Sequence, residues 1–348
     1  MTLRLHLVVP GRLDQATGGY RYCLRIVEGL RTRGDDVTVH ELPGVFPDCD
    51  TVARAAAART LGMLADDDVV VIDGLALPAF YDALPTAPAR VVALVHHPLG
   101  RETGLPPAVA RTWLAAEAAA LRRVAGVIVT SPATAHDLRG LGVDAAAIAT
   151  VVPGTARPRR QRFAQGGRRM LCVATLTPRK GHADLLAALA RLKAMPWRLD
   201  CIGSTTRNPA QARYVRRLIR DYALGRRVRL AGECSEDAIA RAYARADLFV
   251  LASRHEGYGM AFAEALAHGL PVVGLRVGAV GRTVPRRAGI LVRPGDRRAL
   301  RCALRALLSR PATRRRLGDG ARWAGQRLPT WEDSAHGFAA AVMRLVPR

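Results

Sequence analysis

Short, almost wholly apolar runs rich in Val and Leu recur along the chain, each separated from the next by a helical or polar stretch. The first half holds "LRLHLVV", "DVTVHE", "DVVVID", "RVVALVH", "GVIVTS" and "IATVV". The second half holds "RMLCVAT", "WRLDCIG", "RVRLAG", "DLFVLAS", "PVVGL" and "AGILV". Continuous rather than alternating hydrophobicity marks strands covered on both faces, the pattern of parallel sheets with helices on either side. The fold class is therefore α/β, with two doubly wound sheets, one in each half. A chain of 348 residues is also too long for one ordinary core.

Helices are expected from the loop "ATGGY" to about Arg33, with Leu24, Val27, Glu28 and Leu30 on one face and Gly34 as the stop. Others cover "PPAVARTWLAAEAAALRRV" and about 181–194, 209–223, 236–245, 260–268 and 296–309, with a last amphipathic helix in "WEDSAHGFAAAVMRLV". The segment "PGTARPRRQRFAQGGRR" interrupts the pattern with Pro, Gly and clustered Arg, a linker composition. The expected division is 1–155, a basic linker at 156–169, a second domain at 170–328, and a terminal helix at 329–348 packing back toward the first domain.

Charge divides along the same line. Residues 1–155 carry 14 Arg against 16 Asp and Glu, a formal −2, whereas residues 156–348 carry 39 Lys and Arg against 13 Asp and Glu, +26. So basic a half attracts phosphates, anionic lipid surfaces or nucleic acid, unless an Arg-biased composition merely decorates its helix faces. Only Lys180 and Lys193 depart from Arg among 53 basic residues, and a lone Lys in a loop suggests a need for a compact point charge. No zinc-knuckle or aromatic-interleaved basic motif accompanies the Arg excess, so nucleic acid is not expected as a partner. No run of eighteen apolar residues suggests a membrane span, and "MTLRLHLVVPG" reads as a first buried strand, too short for a signal-peptide core. The cysteines at 23, 49, 172, 201, 234 and 302 lie far apart with no C-x-x-C pair, and read as small buried hydrophobes of a cytoplasmic protein.

Ligands of doubly wound sheets bind beyond the carboxyl ends of the strands, so the loops there hold the candidates. After the strand "DLFVLAS", the stretch "RHEGYGMAFAEALAHGLPVVG" gives a glycine turn and then a helix. The amides of Tyr258, Gly259, Met260 and Ala261 would point from the helix start and form an anion site, with Gly257 and Gly259 letting backbone approach a ligand. Glu256 precedes that start and Glu264 lies one turn inside it. Carboxylates there suit paired sugar hydroxyls, and read equally as a dipole partner and a solvated helix residue. "VATLTPRKGHADLLAAL" repeats the strand–loop–helix order with Arg179, Lys180 and Gly181, where Lys180 is a diphosphate clamp or an ordinary loop charge. Gly18 and Gly19 open a helix after the first strand without the full G-x-G-x-x-G pattern. His96 and His97 end a strand, either to orient a hydroxyl or to pack locally. The "DDD" at 66–68 reads as a polar turn, and no metal-binding or Walker-type motif occurs.

Together these residues resemble the family 4 retaining glycosyltransferases, of GT-B architecture with two facing Rossmann-like domains and an interdomain cleft. Glu256-x7-Glu264 is similar to that family's E-x7-E signature, "TPRKGHADLL" to its P-x-K-G segment, and "AGILVRPGD" to its G-x-L-V-x-P-G-D turn. "GG" at 18–19 is similar to its N-terminal glycine loop, and "LVHHPLGRETGL" to a histidine-bearing loop. The resemblance implies transfer from a nucleotide-sugar donor, a UDP- or GDP-sugar, to a sugar, lipid or small-molecule acceptor, with no metal or other cofactor. It assigns Glu256 to the donor sugar, Glu264 to the ribose, and Lys180 with the amides after Glu256 to the diphosphate. Gly18 and Gly19 would close over that diphosphate, and His96, or else His97, would face the donor sugar or the acceptor. It implies a cytoplasmic enzyme, in peripheral contact with an anionic inner membrane face if the acceptor is a lipid. Two positions depart from the pattern: Thr175 stands where an Arg is usual, and Gly281-Arg282 where Pro-Glu is usual. Arg179 is the candidate to supply the missing cation; the departures leave open a catalytically eroded binding protein, and the Arg excess a basic-surface membrane or nucleic-acid binder.

Overall fold

The computed structural model describes residues 3–87, 90–158, 166 and 168–346. It comprises two compact units, one of residues 1–154 with 329–348 and the other of 155–328. Much of the expected linker, 159–165 and 167, lies outside the described residues.

In unit one the order is β1 (Arg4–Pro10), α1 (Gly18–Thr32), β2 (Asp36–Leu42), α2 (Thr51–Gly62), β3 (Val69–Asp73), β4 (Arg90–Val95), α3 (Pro107–Leu121), β5 (Gly126–Val129), α4 (Pro132–Gly140) and β6 (Ile148–Thr150). The strands form one parallel six-stranded sheet in the order β2-β1-β3-β4-β5-β6. Successive side chains feed opposite faces: Val8, Val70 and Ile72 enter one core, Leu7, Val9 and Val71 the other. Burial on both sides is why these runs carry no polar alternation. The inward face of α1 is Tyr22, Cys23, Ile26, Val27 and Leu30. Leu24 is only half-buried, and Glu28 is exposed and paired with Arg25 at 2.8 Å, so the expected face was rotated.

Unit two runs β7 (Arg169–Val173), α5 (His182–Ala190), β8 (Arg198–Ile202), α6 (Pro209–Asp221), β9 (Val228–Gly232), α7 (Glu236–Arg245), β10 (Leu248–Leu251), α8 (Met260–Ala267), β11 (Val272–Leu275), α9 (Val280–Thr283), β12 (Gly289–Val292), α10 (Arg297–Ser309) and α11 (Pro311–Gly325). Its parallel sheet has the order β12-β11-β10-β7-β8-β9. Phe249 of β10 meets Phe262 of α8 edge-on at 5.3 Å, both fully buried, which seats α8 on the sheet. The chain then returns to unit one as α12 (Trp331–Leu345), started by a Thr330–Asp333 capping box. Trp331 and Phe338 of α12 lie against Tyr22 of α1 at ring separations of 6.2 and 6.5 Å, and Ser334 donates to the Val152 carbonyl at 2.8 Å. Among the described residues no helix is long and apolar enough to cross a membrane.

Both strand orders reverse direction once, between β1 and β3 in unit one and between β7 and β10 in unit two. Where the order reverses, the connections diverge to opposite faces and leave a crevice at the carboxyl edge. The loops after β1, β3, β7 and β10 are thus the places to look for chemistry.

Candidate active site

In unit two the loops after β7 and β10 are joined at the reversal point. The Arg254 amide donates to the Arg179 carbonyl at 2.7 Å, and Arg179 Nη1 returns a bond to the His255 carbonyl at 3.1 Å. Lys180 ends a one-turn 3-10 helix, Pro178–Lys180, and its Nζ lies 2.7 Å from Glu256 Oε1, with Arg179 Nη1 3.8 Å from Oε2. Glu256 is only 6% exposed. Burial pushes its carboxyl up, but Lys180 and Arg179 outweigh that and hold it below the ordinary carboxylate range. The loop before α9 fixes the Glu256 backbone: Ala279 N–H donates to its carbonyl at 3.1 Å, and Gly278, at φ +46, approaches that carbonyl so closely that a Cβ would collide with it.

Gly257, Tyr258 and Gly259 carry the chain from Glu256 into α8, with Gly259 in the left-handed region at φ +88 as N-cap. No side chain caps this helix, and among the described residues the amides of Tyr258, Gly259, Met260 and Ala261 meet no acceptor. Amides at a helix start lie at the positive end of the helix dipole, where negative charge is favoured. Tyr258 is half-buried, and burial pushes its phenol up to about 12, so it stays neutral. Its carbonyl accepts from Thr283 Oγ1 of α9 at 3.1 Å, so the Gly281-Arg282 departure leaves that support intact, with Arg282 exposed. Thr175 is half-buried, and Arg179 lies beside Glu256.

Glu264 is not a freely solvated helix residue. It is half-buried, and its Oε2 accepts from the hydroxyl of fully buried Tyr243 of α7 at 2.9 Å. That bond fixes one carboxylate oxygen and orients the other. Tyr243 was not singled out from the sequence, because it lies 21 residues upstream in a helix with no motif.

Unit one gathers a second group at its own reversal point. Gly18 and Gly19 begin α1, and a Cβ on Gly19 would come 3.3 Å from His96 Cδ2. His96 Nε2 lies 3.1 Å from Asp73 Oδ2 at the end of β3, and Asp73 Oδ1 accepts from the Leu75 amide at 2.8 Å. Cys23 Sγ donates to the same Oδ2 at 3.6 Å; burial, then Asp73, push its thiol well above the ordinary range, so it remains a neutral donor. His97 instead faces Glu102 at 3.5 Å and does not join the cluster. Below the loop, Glu117 of α3 is fully buried and accepts from the Leu99 amide at 2.9 Å; burial pushes its carboxyl up to about 7. Asp73 and Glu117 were likewise not foreseen, since each acts on a partner distant in sequence.

Two described clusters have donor sets that could hold a metal ion, Cys23–Asp73–His96 and the buried Cys172–His182–Cys201, each with its ligand atoms within 4.8 Å of one another. Cys172 and Cys201 are register partners on β7 and β8. All six cysteines are free thiols, and Cys302, expected inside, is exposed.

Residues 167–310 match the family model described as glycosyl transferases group 1. The chain is 27% identical over 329 residues to the MMP alpha-(1->4)-mannosyltransferase of Mycolicibacterium hassiacum, covering 87% of this chain and 77% of that protein. Its fold is similar to sucrose-phosphate synthase from Thermosynechococcus elongatus, with TM-score 0.82 and 24% identity over 97% of this chain and 98% of that one. It is also similar to Anabaena HepE in complex with UDP and glucose, with TM-score 0.78 and 18% identity over 97% and 98% of the respective chains. Residues 167–310 thus match a glycosyl transferases group 1 domain, and the two-sheet fold of the chain is similar to that of GT-B glycosyltransferases.

Proposed function

We infer that the chain transfers a sugar with retention from a UDP- or GDP-sugar to a sugar, lipid or small-molecule acceptor, with no metal required. The observation that carries this reading is the uncapped start of α8 beside the Lys180–Glu256 pair: four amides without acceptors, an ammonium 2.7 Å from a buried carboxylate, and a guanidinium 3.8 Å from it. In sugar transfer the departing diphosphate gains negative charge as the anomeric carbon becomes cationic. Preorganised amides and cations stabilise the first, without the reorganisation that water would need. Lys180 carries three ammonium hydrogens, so a contact with Glu256 and one with a phosphate oxygen are compatible. Glu256, ionised across the neutral range, is suited to the cationic sugar. Glu264, steadied by Tyr243, is assigned to the ribose hydroxyls. In unit one Gly18 and Gly19 are assigned to the diphosphate, and His96, held by Asp73, to the donor sugar or acceptor. The mannosyltransferase relative and the complex of HepE with UDP and glucose are consistent with a nucleotide-sugar donor.

The test is release of nucleoside diphosphate from a panel of UDP-, GDP- and ADP-sugars with acceptor, in the presence of a chelator. Turnover of at least one donor is expected, and Lys180→Ala lowers it by about a hundredfold, the scale of losing one charge-stabilising donor. Near-wild-type turnover by that variant would remove Lys180 from the site, and abolition by chelator would contradict metal independence.

A further inference from the structure

Away from the α8 site, unit two has a concavity of about 580 Å³, within the size range of small-ligand sites. It is lined by Arg191 and Lys193 after the end of α5, by Arg297, Arg298 and Arg301 of α10, and by Asp221 at the end of α6. Lys180 precedes the start of α5 and this pocket takes in its other end, about 13 Å away for a nine-residue helix. Arg297 is paired with Asp184 at 2.8 Å. Among the described residues the side chains of Arg191, Lys193, Arg298 and Arg301 have no ion pair or hydrogen bond. Lys193 is one of only two lysines in the chain.

Arg191 and Lys193 have a local explanation, since a helix C-terminus favours cations. Arg298 and Arg301 have none. They stand in the first two turns of α10, at the positive end of the dipole, where the one carboxylate, the N-cap Asp296, is engaged by the Ala299 amide at 2.8 Å and no acidic residue occupies the first turn. Clustered cations placed against both their neighbours and the helix dipole cost stability unless an anion neutralises them. An Arg-rich composition alone would scatter its charges over convex helix faces rather than line a cavity.

We propose that this pocket binds a phosphate ester on a hydroxylated skeleton. Guanidinium forks match phosphate oxygens in pairs, Lys193 adds a point charge, and Asp221 accepts from a hydroxyl of the same ligand. Small side chains from α5, such as Ala187, leave room along its flank, and Tyr222 provides a wall. A soluble sugar phosphate and a phosphorylated polyol headgroup of a lipid share this chemistry.

The experiment compares two variants of the full chain that each remove three exposed charges: Arg191→Gln/Lys193→Gln/Arg298→Gln in the pocket, and Arg213→Gln/Arg216→Gln/Arg315→Gln outside it. Glucose 6-phosphate is titrated by calorimetry, and vesicles of phosphatidylcholine with or without phosphatidylinositol are tested by co-sedimentation. The proposal expects the pocket variant to lose about tenfold in affinity for at least one probe while the outside variant stays near wild type. Loss confined to glucose 6-phosphate identifies a soluble ligand, and loss confined to inositol-lipid vesicles a headgroup. Equal weakening by both variants would overturn the proposal in favour of diffuse surface charge. So would failure of the wild type to bind either probe. Melting temperatures check that all three proteins are folded, and all the substituted residues are exposed.

Discussion

Replacing Lys180 with Met keeps the length of the side chain and removes its charge, leaving Glu256 buried with Arg179 at 3.8 Å as its remaining cation. Breaking a buried ion pair from one side costs about 3–5 kcal/mol, because an uncompensated charge stays inside. Arg179 retains part of the compensation, so about 3 kcal/mol is expected, a melting temperature lower by roughly 6–12 °C for a domain of this size. Adding Glu256→Gln to Lys180→Met removes the orphaned charge and restores much of the loss, and a double-mutant cycle isolates the coupling. The pH dependence has a definite sign. Burial raises the Glu256 carboxyl, yet Lys180 and Arg179 outweigh it and leave it lowered. The stabilisation from the pair is therefore present above the unfolded carboxylate range and is lost as pH falls through the lower folded value. In Lys180→Met burial weighs more heavily, protonation relieves the penalty, and the gap to wild type narrows as the solution is acidified. The assay is thermal unfolding across neutral to acid pH. A variant melting within about 1 °C of wild type at neutral pH would refute the buried-pair reasoning.

Glu117→Gln removes the opposite kind of shift. Burial raises this carboxyl from 4.5 to about 7, so the penalty for ionising it is absent in acid and grows as pH rises to that value. The variant should melt with wild type in acid and be more stable by about 3 kcal/mol above neutrality, and a constant difference across pH would contradict this. Glu264→Ala should chiefly weaken nucleotide binding, and Tyr243→Phe should do so more mildly, by about 1 kcal/mol, since it removes only the orienting hydroxyl. Calorimetry showing unchanged affinity in Glu264→Ala would take that residue out of the site. Gly278→Ala forces a Cβ against the Glu256 carbonyl at φ +46 and should cost at least about 2 kcal/mol along with turnover, measured by denaturant unfolding and product release.

The strands were legible because burial on both faces writes itself into consecutive residues, as in "VVVID" and "RVVALV". Helices α2, α4, α9 and α11 have no expectation in the sequence pattern, and two of them show why. In α2, "TVARAAAARTLG" buries Ala53, Ala56 and Ala57, and alanine marks inside and outside alike. In α11, Gly318, Gly320 and Gly325 look like breakers in sequence yet are buried. A Cβ at Gly320 would strike the Arg287 carbonyl and one at Gly325 the Leu266 carbonyl, so these glycines let α11 lie close against its neighbours. The site followed the same division. The Glu256–Glu264 spacing and the turn between them are local and could be read. The bonds from Lys180 to Glu256, 76 residues apart, and from Tyr243 to Glu264 depend on which strands neighbour one another, which no local pattern encodes.

The central claim is that the amides opening α8, together with Lys180, hold a diphosphate. Calorimetric titration of UDP and GDP alongside UMP and GMP, into wild type and Lys180→Met, tests it most directly. One of the diphosphates should bind at least about tenfold tighter than its monophosphate, the scale of a charged hydrogen bond, and Lys180→Met should erase most of that preference. Equal affinity for diphosphate and monophosphate, or a preference that survives without the ammonium, would contradict it.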